Sequence, residues 1–405
     1  MSLQLLTNDA KRRGPSRRAD HRRNRRGAVT ILAMFLVFLL VLVTALVVNW
    51  NFLVLVNRDM QHKCDAMALA AAPELLDERL LQDAGEPLAP DLGQRQLAAA
   101  QAAADTCRRN NEAGAASLRT EWADVAVRTG FVADVARRPC HLDESASRHN
   151  TVCVLCGRLA TGSHPVSYLA NVAGATHAVD IRGGAYATLD NLVVGFRPIA
   201  DAPSPVMPLA ISRDAWRSER DTDSNGNGIR EMILRLKAAQ PPEDQQLPPT
   251  PNAAVLFYRG SADPGELARQ VAVGILPTDL PSSGGVLGPG TPARPFLVAG
   301  TSLADGSDPL TETLKDAIQA AVGQKRAFPL YREIAPADPN AAATVALDGF
   351  VACVIMGAGV VDRRLVVRVE PCFLIHHTLW TVPPDANDPL NPERNPYLYK
   401  LRLSR

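Results

Sequence analysis

The sequence predicts an α+β protein: a long N-terminal transmembrane and stalk helix, followed by a mainly β external domain with a few helices. Three observations predict it. Residues 28–48 form an apolar run without a single charge. Neither glycine nor proline, the two residues that break helices, occurs between residue 28 and Pro73. From residue 122 onward, short alternating runs such as "WADVAVRTGFVADV" and "TVCVLCGRL" are typical of strands.

The apolar run 28–48 predicts a helix that spans a membrane. It holds 21 residues, of which only Thr30 and Thr44 are polar. At 1.5 Å per residue such a helix covers about 31 Å, which is the thickness of a bilayer core. A secretory signal has a shorter apolar stretch that ends at a small-residue cleavage site, so the run indicates a permanent anchor.

Basic residues are concentrated in front of this span. Residues 1–27 contain Lys11 and eight arginines against Asp9 and Asp20, a net charge of +7, whereas the whole chain carries only +1. Cationic residues beside a span remain on the cytoplasmic side, so we expect a single-pass protein with its N terminus inside and its C-terminal part outside. The tail has no aromatic residues among its basic ones and no nucleic-acid-binding motif follows it, so we expect no nucleic-acid partner.

The helix is expected to continue past the span as a stalk over residues 49–72. Apolar side chains recur there at spacings of three and four, which places them on one face of a helix. They are Leu53, Val56, Met60, Cys64, Met67 and Ala71, and we refer to them as the stalk stripe. The stripe packs either on the protein's own globular part or on a neighbouring subunit, which includes a homo-oligomer formed through the stalk.

Composition and turn signals divide the chain into seven segments. They are a basic cytoplasmic tail (1–27), the transmembrane helix (28–48), the stalk helix (49–72), an Ala-rich helical segment (73–120), a β-rich external domain (121–237), a Pro-rich spacer or loop (238–252) and an α+β external domain (253–405). The Ala-rich helix is expected over 91–111. In the last segment, Asp263 is a candidate N-cap of one helix, Gly323 closes another, and strands 349–357 and 363–371 form a hairpin across "GAGVVD".

The stretch "DTDSNGNGIREM" resembles the first half of a calcium-binding EF-hand loop. Asp221, Asp223 and Asn225 alternate ahead of Gly226, as oxygen ligands do when they wrap a calcium ion around a sharp turn. The second half departs from that pattern, because Met232 stands where the bidentate glutamate belongs and Glu231 comes one residue early. The two interpretations are a solvated turn before a strand and a weak calcium site, and apart from such a site we expect no cofactor.

Seven cysteines offer disulfides, thiols or a zinc site. An external location favours disulfides. Two of the three residues Cys140, Cys153 and Cys156 are expected to pair, although strand geometry places 153 and 156 on opposite faces. The alternatives are that these cysteines remain unpaired thiols, that they bind zinc together with His141 or His149, or that the C-x-x-C motif is redox-active. The cysteines at 353 and 372 flank the predicted hairpin and are candidates for a cross-strand bond; with an odd total, the cysteine at 64 is a candidate for a subunit cross-link.

The N-terminal text resembles a known family. "RRGAVTILAMFLVFLLVLVTALVV" followed by "LVNRDMQHKCDAMALAAA" is similar to the start of TadG-like proteins of the Tad (tight adherence, Flp) pilus assembly system, with matches at 60–61, 65–66 and 68–70. Later segments such as "AYATLDNLVVGFRPIAD" and "FVACVIMGAGVVDRRLVVRVEP" resemble a large-ectodomain branch of that family. Pilin-type subunits cleaved after a glycine carry glutamate five residues on; here that residue, counted from Gly27, is Leu32. An acid that the family carries after the span is replaced by Asn49.

The resemblance implies a bacterial inner-membrane protein with a periplasmic domain, a role in cell adhesion and secretion-type fibre assembly, and other Tad pilus or pilin-like subunits as partners. The chain would tether or guide those subunits through its N-terminal helix. A membrane-tethered adhesin or ligand-binding ectodomain unrelated to fibre assembly is the alternative. The sequence contains no G-x-S-x-G, H-E-x-x-H or Walker motif, and we expect no enzyme activity.

Overall fold

The computed structural model describes residues 18–404, apart from 83–90, 114–123, 136–139, 160–165, 168–177, 201, 237–251, 259–262, 281–284, 289–291, 296–308, 335–344, 362–363 and 383–393. The predicted spacer 238–252 therefore lies outside the described residues except for Asn252, and so do the first 17 residues of the basic tail. One long apolar helix and a mostly β remainder with a few helices give the α+β class that the sequence predicts.

The described helices are α1 (Arg18–Ala71), α2 (Leu92–Ala113), α3 (Arg213–Ser218), α4 (Pro264–Val273) and α5 (Pro309–Ala320). The strands are β1 (Val125–Gly130), β2 (Thr151–Arg158), β3 (Val166–Ser167), β4 (Ala178–Val179), β5 (Ile181–Asp190), β6 (Val193–Phe196), β7 (Leu209–Ser212), β8 (Arg220–Thr222), β9 (Glu231–Arg235), β10 (Ala253–Phe257), β11 (Pro292–Pro295), β12 (Lys325–Ile334), β13 (Val345–Val361), β14 (Arg364–Pro371), β15 (Leu374–Ile375), β16 (Leu379–Thr381) and β17 (Leu398–Ser404).

Helix ends follow local sequence signals. Helix α1 runs unbroken to residue 71 and gives way to a 3-10 turn that contains Pro73 in its first turn. The Asp263 carboxylate accepts a hydrogen bond from the Gly265 N–H and caps α4, as predicted. Gly323, after α5, has a positive φ of 80°. Two helix ends differ from the prediction. Helix α1 begins at Arg18, within the basic tail, and α2 continues past residues 110–111 to Ala113.

The chain divides into two compact units, residues 1–60 with 157–182 and residues 61–156 with 183–405. Strands pair into a five-stranded sheet (order β1-β2-β5-β17-β15), an eight-stranded sheet (β11-β10-β7-β12-β13-β14-β9-β8) and the two-stranded pairs β16–β6 and β3–β4. The eight-stranded sheet interleaves β7, β8 and β9 from segment 121–237 with β10 to β14 from segment 253–405. The two predicted external domains therefore share one sheet. Strands of the first segment pair directly with strands of the second, as β7 does with β10 and β9 does with β14.

The core of the second unit lies on both faces of the eight-stranded sheet. Along β13, Val351, Cys353 and Ile355 join one apolar cluster together with side chains of α4 and α5. The alternate residues Phe350 and Ala352 join a second cluster, which includes side chains of β6 and β16 together with Ile275, Leu280 and Leu287. Because both faces of the sheet are buried, the sequences of the central strands are nearly continuous runs of apolar residues and do not alternate between apolar and polar residues.

The β13–β14 hairpin is confirmed, but its turn lies further along the chain than predicted. Val361 pairs with Arg364, so β13 extends through most of "GAGVVD". A register shift between Ile355 and Gly357 marks a bulge in β13. This one-residue shift decides the positions of the two cysteines that flank the hairpin.

Candidate functional site

The apolar part of α1 is fully exposed. It is the one helix, among the residues that the structure describes, that is long and apolar enough to span a membrane, and none of the residues in its most apolar window is buried. Phe35 and Leu46, for example, expose 64% and 67% of their surface. Exposing this much contiguous apolar surface to water is unfavourable, so the segment is suited to a lipid environment.

The stalk end of α1 is joined to the β structure by a disulfide between Cys64 and Cys156. Their Cα atoms lie 6.6 Å apart, within the usual range for a bridge. Around the bridge, the Gln61 side chain donates a 2.8 Å hydrogen bond to the carbonyl oxygen of Gly184 on β5. Met67 and Ala68 are completely buried in the same stretch. The C-terminal part of α1 is therefore an integral part of the second unit.

The stalk stripe is covered by the chain itself. Val56, Met60, Cys64 and Met67 each expose 3% or less of their surface, and Leu53 is half-buried. Residues 56–67 of the stripe therefore pack within the chain, which agrees with the first of the two interpretations. Contact between the stalk and a neighbouring subunit stays a prediction. The predicted subunit cross-link through Cys64 does not form, because Cys64 is bonded to Cys156 of the same chain.

The predicted cysteine pairs do not form. Cys156 bonds to the stalk instead of to Cys140 or Cys153, because alternation along β2 turns 153 and 156 to opposite faces. Cys153 is buried and hydrogen-bonded to the Tyr186 hydroxyl, and burial raises the pKa of its thiol. No redox C-x-x-C bond is present, since Cys156 is taken by Cys64.

Cys353 and Cys372 also remain thiols. With the register that holds between residues 357 and 361, Cys353 would lie opposite Cys372, but the bulge pairs it with Pro371. Neighbouring residues of a strand face opposite sides, and the two sulfurs accordingly lie in different apolar clusters. Burial raises the pKa of Cys372 to about 12 and that of Cys353 well above its ordinary value.

Two of the predicted calcium ligands, Asp223 and Asn225, lie in the loop between β8 and β9, whereas Asp221 lies within β8. Each of the three side chains takes part in a hydrogen bond within the protein. The Asp223 carboxylate accepts from the backbone N–H groups of Gly226 (2.8 Å) and Gly228 (2.9 Å). Asp221 is exposed and accepts from the Thr222 hydroxyl. This pattern is typical of a solvated turn before a strand, the alternative interpretation of the motif. Calcium binding by this loop stays a prediction.

The far side of the same loop is fastened to β14 and β9. The Asn225 amide donates to Glu370 over 2.6 Å, and its side-chain oxygen accepts from the Asn227 N–H. The fully buried Glu231 accepts from the Ser224 N–H at 3.2 Å. Among the residues described, no three His, Cys, Asp or Glu side chains gather into a metal-binding group.

The second unit contains a cleft of about 400 Å³ that the sequence did not predict. Its walls come from the 3-10 turns after α1, the start of α2, residues 148–150, and the segment around β17. We call it the arginine cleft, because five arginines line it: Arg79, Arg95, Arg148, Arg220 and Arg394. The lining contains one carboxylate, that of Asp77.

Asp77 organises one wall of the cleft. Its side chain is only 2% exposed and accepts a 2.8 Å ion-pair contact from Arg79 and a 3.0 Å contact from Arg95. The hydrogen bond from the Arg79 side chain lowers the pKa of Asp77 below its ordinary value, and the positive charge of Arg95 acts in the same direction. Arg95 also donates to the carbonyl oxygen of Leu76 at 3.0 Å, which fixes α2 against the turn.

Aromatic side chains line the opposite part of the cleft. Phe373 and Tyr399 meet edge to face with their ring centroids 5.7 Å apart. Burial raises the pKa of Tyr399 to about 12, so its phenol is neutral at physiological pH. His149 also lines the cleft, and its Nδ1 atom lies 2.7 Å from the hydroxyl oxygen of Thr129 on β1. No spacing in the sequence connects the lining residues, which come from stretches of the chain as far apart as Leu75 and Tyr399.

Comparison of the chain with protein-family models, with curated proteins and with solved structures gives no significant match. The features of this chain that bear on function are the exposed apolar helix, the disulfide that joins its C-terminal part to the β structure, and the arginine cleft.

Proposed function

We propose that the chain is a single-pass protein of a bacterial inner membrane that serves a Tad/Flp-type pilus assembly system and tethers or guides pilin-like subunits through its N-terminal helix. One observation carries this proposal: residues 29–48 keep their apolar side chains exposed on a helix that continues unbroken to residue 71. Such a helix needs lipid or other apolar helices around it. The similarity of the same stretch to TadG-like proteins supports this choice of system.

Two observations favour a cytoplasmic N terminus and an external second unit. The tail in front of the span has a net charge of +7, and positive charge is retained on the cytoplasmic side. The Cys64–Cys156 disulfide follows the span on its C-terminal side. Such bonds form and persist in oxidising compartments such as the periplasm, and rarely in the cytosol.

The surface accessible to partner helices lies on the apolar segment 29–50 and not on the stalk stripe. Residues 56–67 of the stripe are covered by the chain itself, whereas Leu36, Val43 and Trp50 are exposed. In a bilayer, helices associate through close packing of side chains, since lipid tails remove the hydrophobic drive between them. We therefore propose residues 29–50 as the surface that meets pilin-like helices.

Orientation is tested by labelling single cysteines with a membrane-impermeant maleimide in spheroplasts. We expect Ser147→Cys, at an exposed position of the second unit, to react in intact spheroplasts. Ser16→Cys, in the basic tail, should react only after the membrane is permeabilised. The wild-type chain measures the background from native thiols. Reaction of Ser16→Cys in intact spheroplasts, with Ser147→Cys protected, would overturn the proposed topology.

The pilus role is tested by co-purification and by fibre counts in the organism that encodes the chain. We expect deletion to abolish surface fibres and the wild-type gene to restore them. A variant whose residues 29–48 are all leucine should still anchor but lose its pilin-like partners, because its packing surface is changed. Arg217→Glu, an exposed position far along the chain, is the matched control and should behave as wild type. Fibres that persist after deletion contradict the proposal.

A second candidate function is a membrane-tethered adhesin or ligand-binding ectodomain, and the arginine cleft favours it. A pure tether has no need for a cleft of about 400 Å³ that is lined by five arginines and several aromatic side chains. Normal fibres after deletion, together with loss of a surface-binding phenotype, would support this second function over the first.

A further inference from the structure

The arginine cleft has an excess of positive charge that its own carboxylate does not neutralise. Asp77 is shared between Arg79 and Arg95. Arg148, Arg220 and Arg394 also line the cleft. Among the residues that the structure describes, neither Arg148 nor Arg394 forms an ion pair with a carboxylate, and both side chains are exposed. The cleft therefore has a standing attraction for anions.

Aromatic rings hold two of these guanidinium groups in place. The Arg394 guanidinium carbon lies 5.2 Å from the centre of the Phe131 ring, and that of Arg220 lies 5.0 Å from the Trp216 ring. Stacking orients a guanidinium plane without neutralising its charge, so the N–H groups of Arg394 can meet a planar anion. The Arg220 Nε–H already donates to the carbonyl oxygen of Trp216 at 3.0 Å. The Nε–H of Arg95 is buried and has no hydrogen-bond partner, a state that buried donors seldom keep.

The rest of the lining is apolar. Six leucines contribute to it, together with the Phe373 and Tyr399 rings. An inorganic ion would leave these surfaces in contact with water, whereas a ligand with an apolar body would cover them at about 25 cal/mol per Å². The cleft volume of about 400 Å³ fits a small organic molecule.

We propose that the arginine cleft binds a small organic anion, namely a carboxylate or phosphate carried on an apolar or aromatic body. The anionic group meets Arg148 and Arg394, and the body lies against the leucines and the Phe373–Tyr399 pair. This binding role goes beyond the proposed pilus function and does not depend on it, because every lining residue belongs to the second unit.

Isothermal titration calorimetry on the full chain in a neutral maltoside detergent tests the proposal. The probes are naphthalene-2-carboxylate, octanoate and phenyl phosphate. Naphthalene-2-carboxamide is the neutral match of the first probe, and protein-free micelles provide the blank. We expect at least one anionic probe to bind with one-to-one stoichiometry and the carboxamide to bind at least tenfold more weakly. Tighter binding of naphthalene-2-carboxylate assigns an aromatic ligand, and tighter binding of octanoate assigns an acyl chain.

The charge-reversal variant Arg148→Glu/Arg394→Glu should weaken the anionic probe at least tenfold. Its matched control reverses two exposed arginines outside the cleft, Arg217→Glu/Arg230→Glu, and should bind within twofold of wild type. If the charge-reversal variant unfolds at a lower temperature, Arg148→Gln/Arg394→Gln is measured instead. No binding of any anionic probe at millimolar concentration, equal binding of the carboxamide, or unchanged binding by the cleft variant overturns the proposal.

Discussion

Removal of the Cys64–Cys156 disulfide is the sharpest perturbation that the structure offers. The bridge closes a loop with a sequence separation of 92 residues. In the chain-entropy treatment, closing a loop of that length in the unfolded state is worth about 4.6 kcal/mol at 25 °C. Native disulfides are usually worth about 2–5 kcal/mol, so we expect the variant Cys64→Ala/Cys156→Ala to lose free energy of unfolding in that range.

Urea unfolding of the solubilised full chain, followed by tryptophan fluorescence, measures this loss. We expect dithiothreitol to lower the urea midpoint of the wild-type chain towards that of the double variant. The double variant itself should not respond to the reductant. Cys140→Ala is the matched control: it removes a cysteine that the sequence suggested as a partner, and its response to the reductant should equal that of wild type.

Two results would refute the reasoning about the bridge. One is a non-reduced peptide map in which Cys156 is joined to Cys140 or Cys153. The other is a wild-type urea midpoint that dithiothreitol leaves unchanged although Cys64 and Cys156 are confirmed to be reduced, since the loop-closure contribution would then be absent from the unfolding equilibrium.

Three further predictions concern the second unit. Burial, helped by the neighbouring charges of His377 and Arg326, lowers the pKa of His376 to about 4. Because the unfolded state takes up a proton at a higher pH than the folded state does, the free energy of unfolding should fall by up to about 3 kcal/mol between pH 6.5 and 4. In urea titrations the variant His376→Gln should show a weaker dependence on pH. The variant Asp77→Asn leaves Arg79 and Arg95 without their carboxylate. Asp77 is buried although Arg79 is partly exposed, so we expect chemical denaturation to show a free energy of unfolding lower by about 2–3 kcal/mol. A decrease below about 0.5 kcal/mol would contradict the pairing. A Cβ at Gly195 would lie 2.2 Å from the carbonyl oxygen of Leu287, so Gly195→Ala should lower thermal stability by about 2–3 kcal/mol, whereas Gly349→Ala, which meets no atom within 4 Å, should be nearly neutral.

Much of the secondary structure could be predicted because its causes are local. The break of α1 ahead of Pro73 follows from a missing N–H and a ring clash, and the start of α4 follows from the Asp263 cap. The hairpin β13–β14 follows from two apolar runs with a short turn between them. Its register could not be predicted, since the bulge depends on packing against both apolar clusters rather than on any one residue.

The cysteine assignments show the limit of local reasoning. The sequence suggests partners that are near one another along the chain, such as 140 and 153. The actual partner of Cys156 lies on α1, and only the packing of the stalk against the β structure brings their Cα atoms to 6.6 Å. The same packing buries Met67 and Ala68, which is why the stalk stripe faces the chain itself.

The sequence by itself determined the features that a short window can encode: the apolar span, the basic tail in front of it, the helix caps and the alternating strands. Only the tertiary structure decided the shared eight-stranded sheet, the disulfide and the arginine cleft. Those features join residues from distant stretches, and the physical reason is that backbone pairing and burial select partners by geometry in three dimensions. Arg79, Arg148 and Arg394 have no common spacing, yet folding brings them to one cleft.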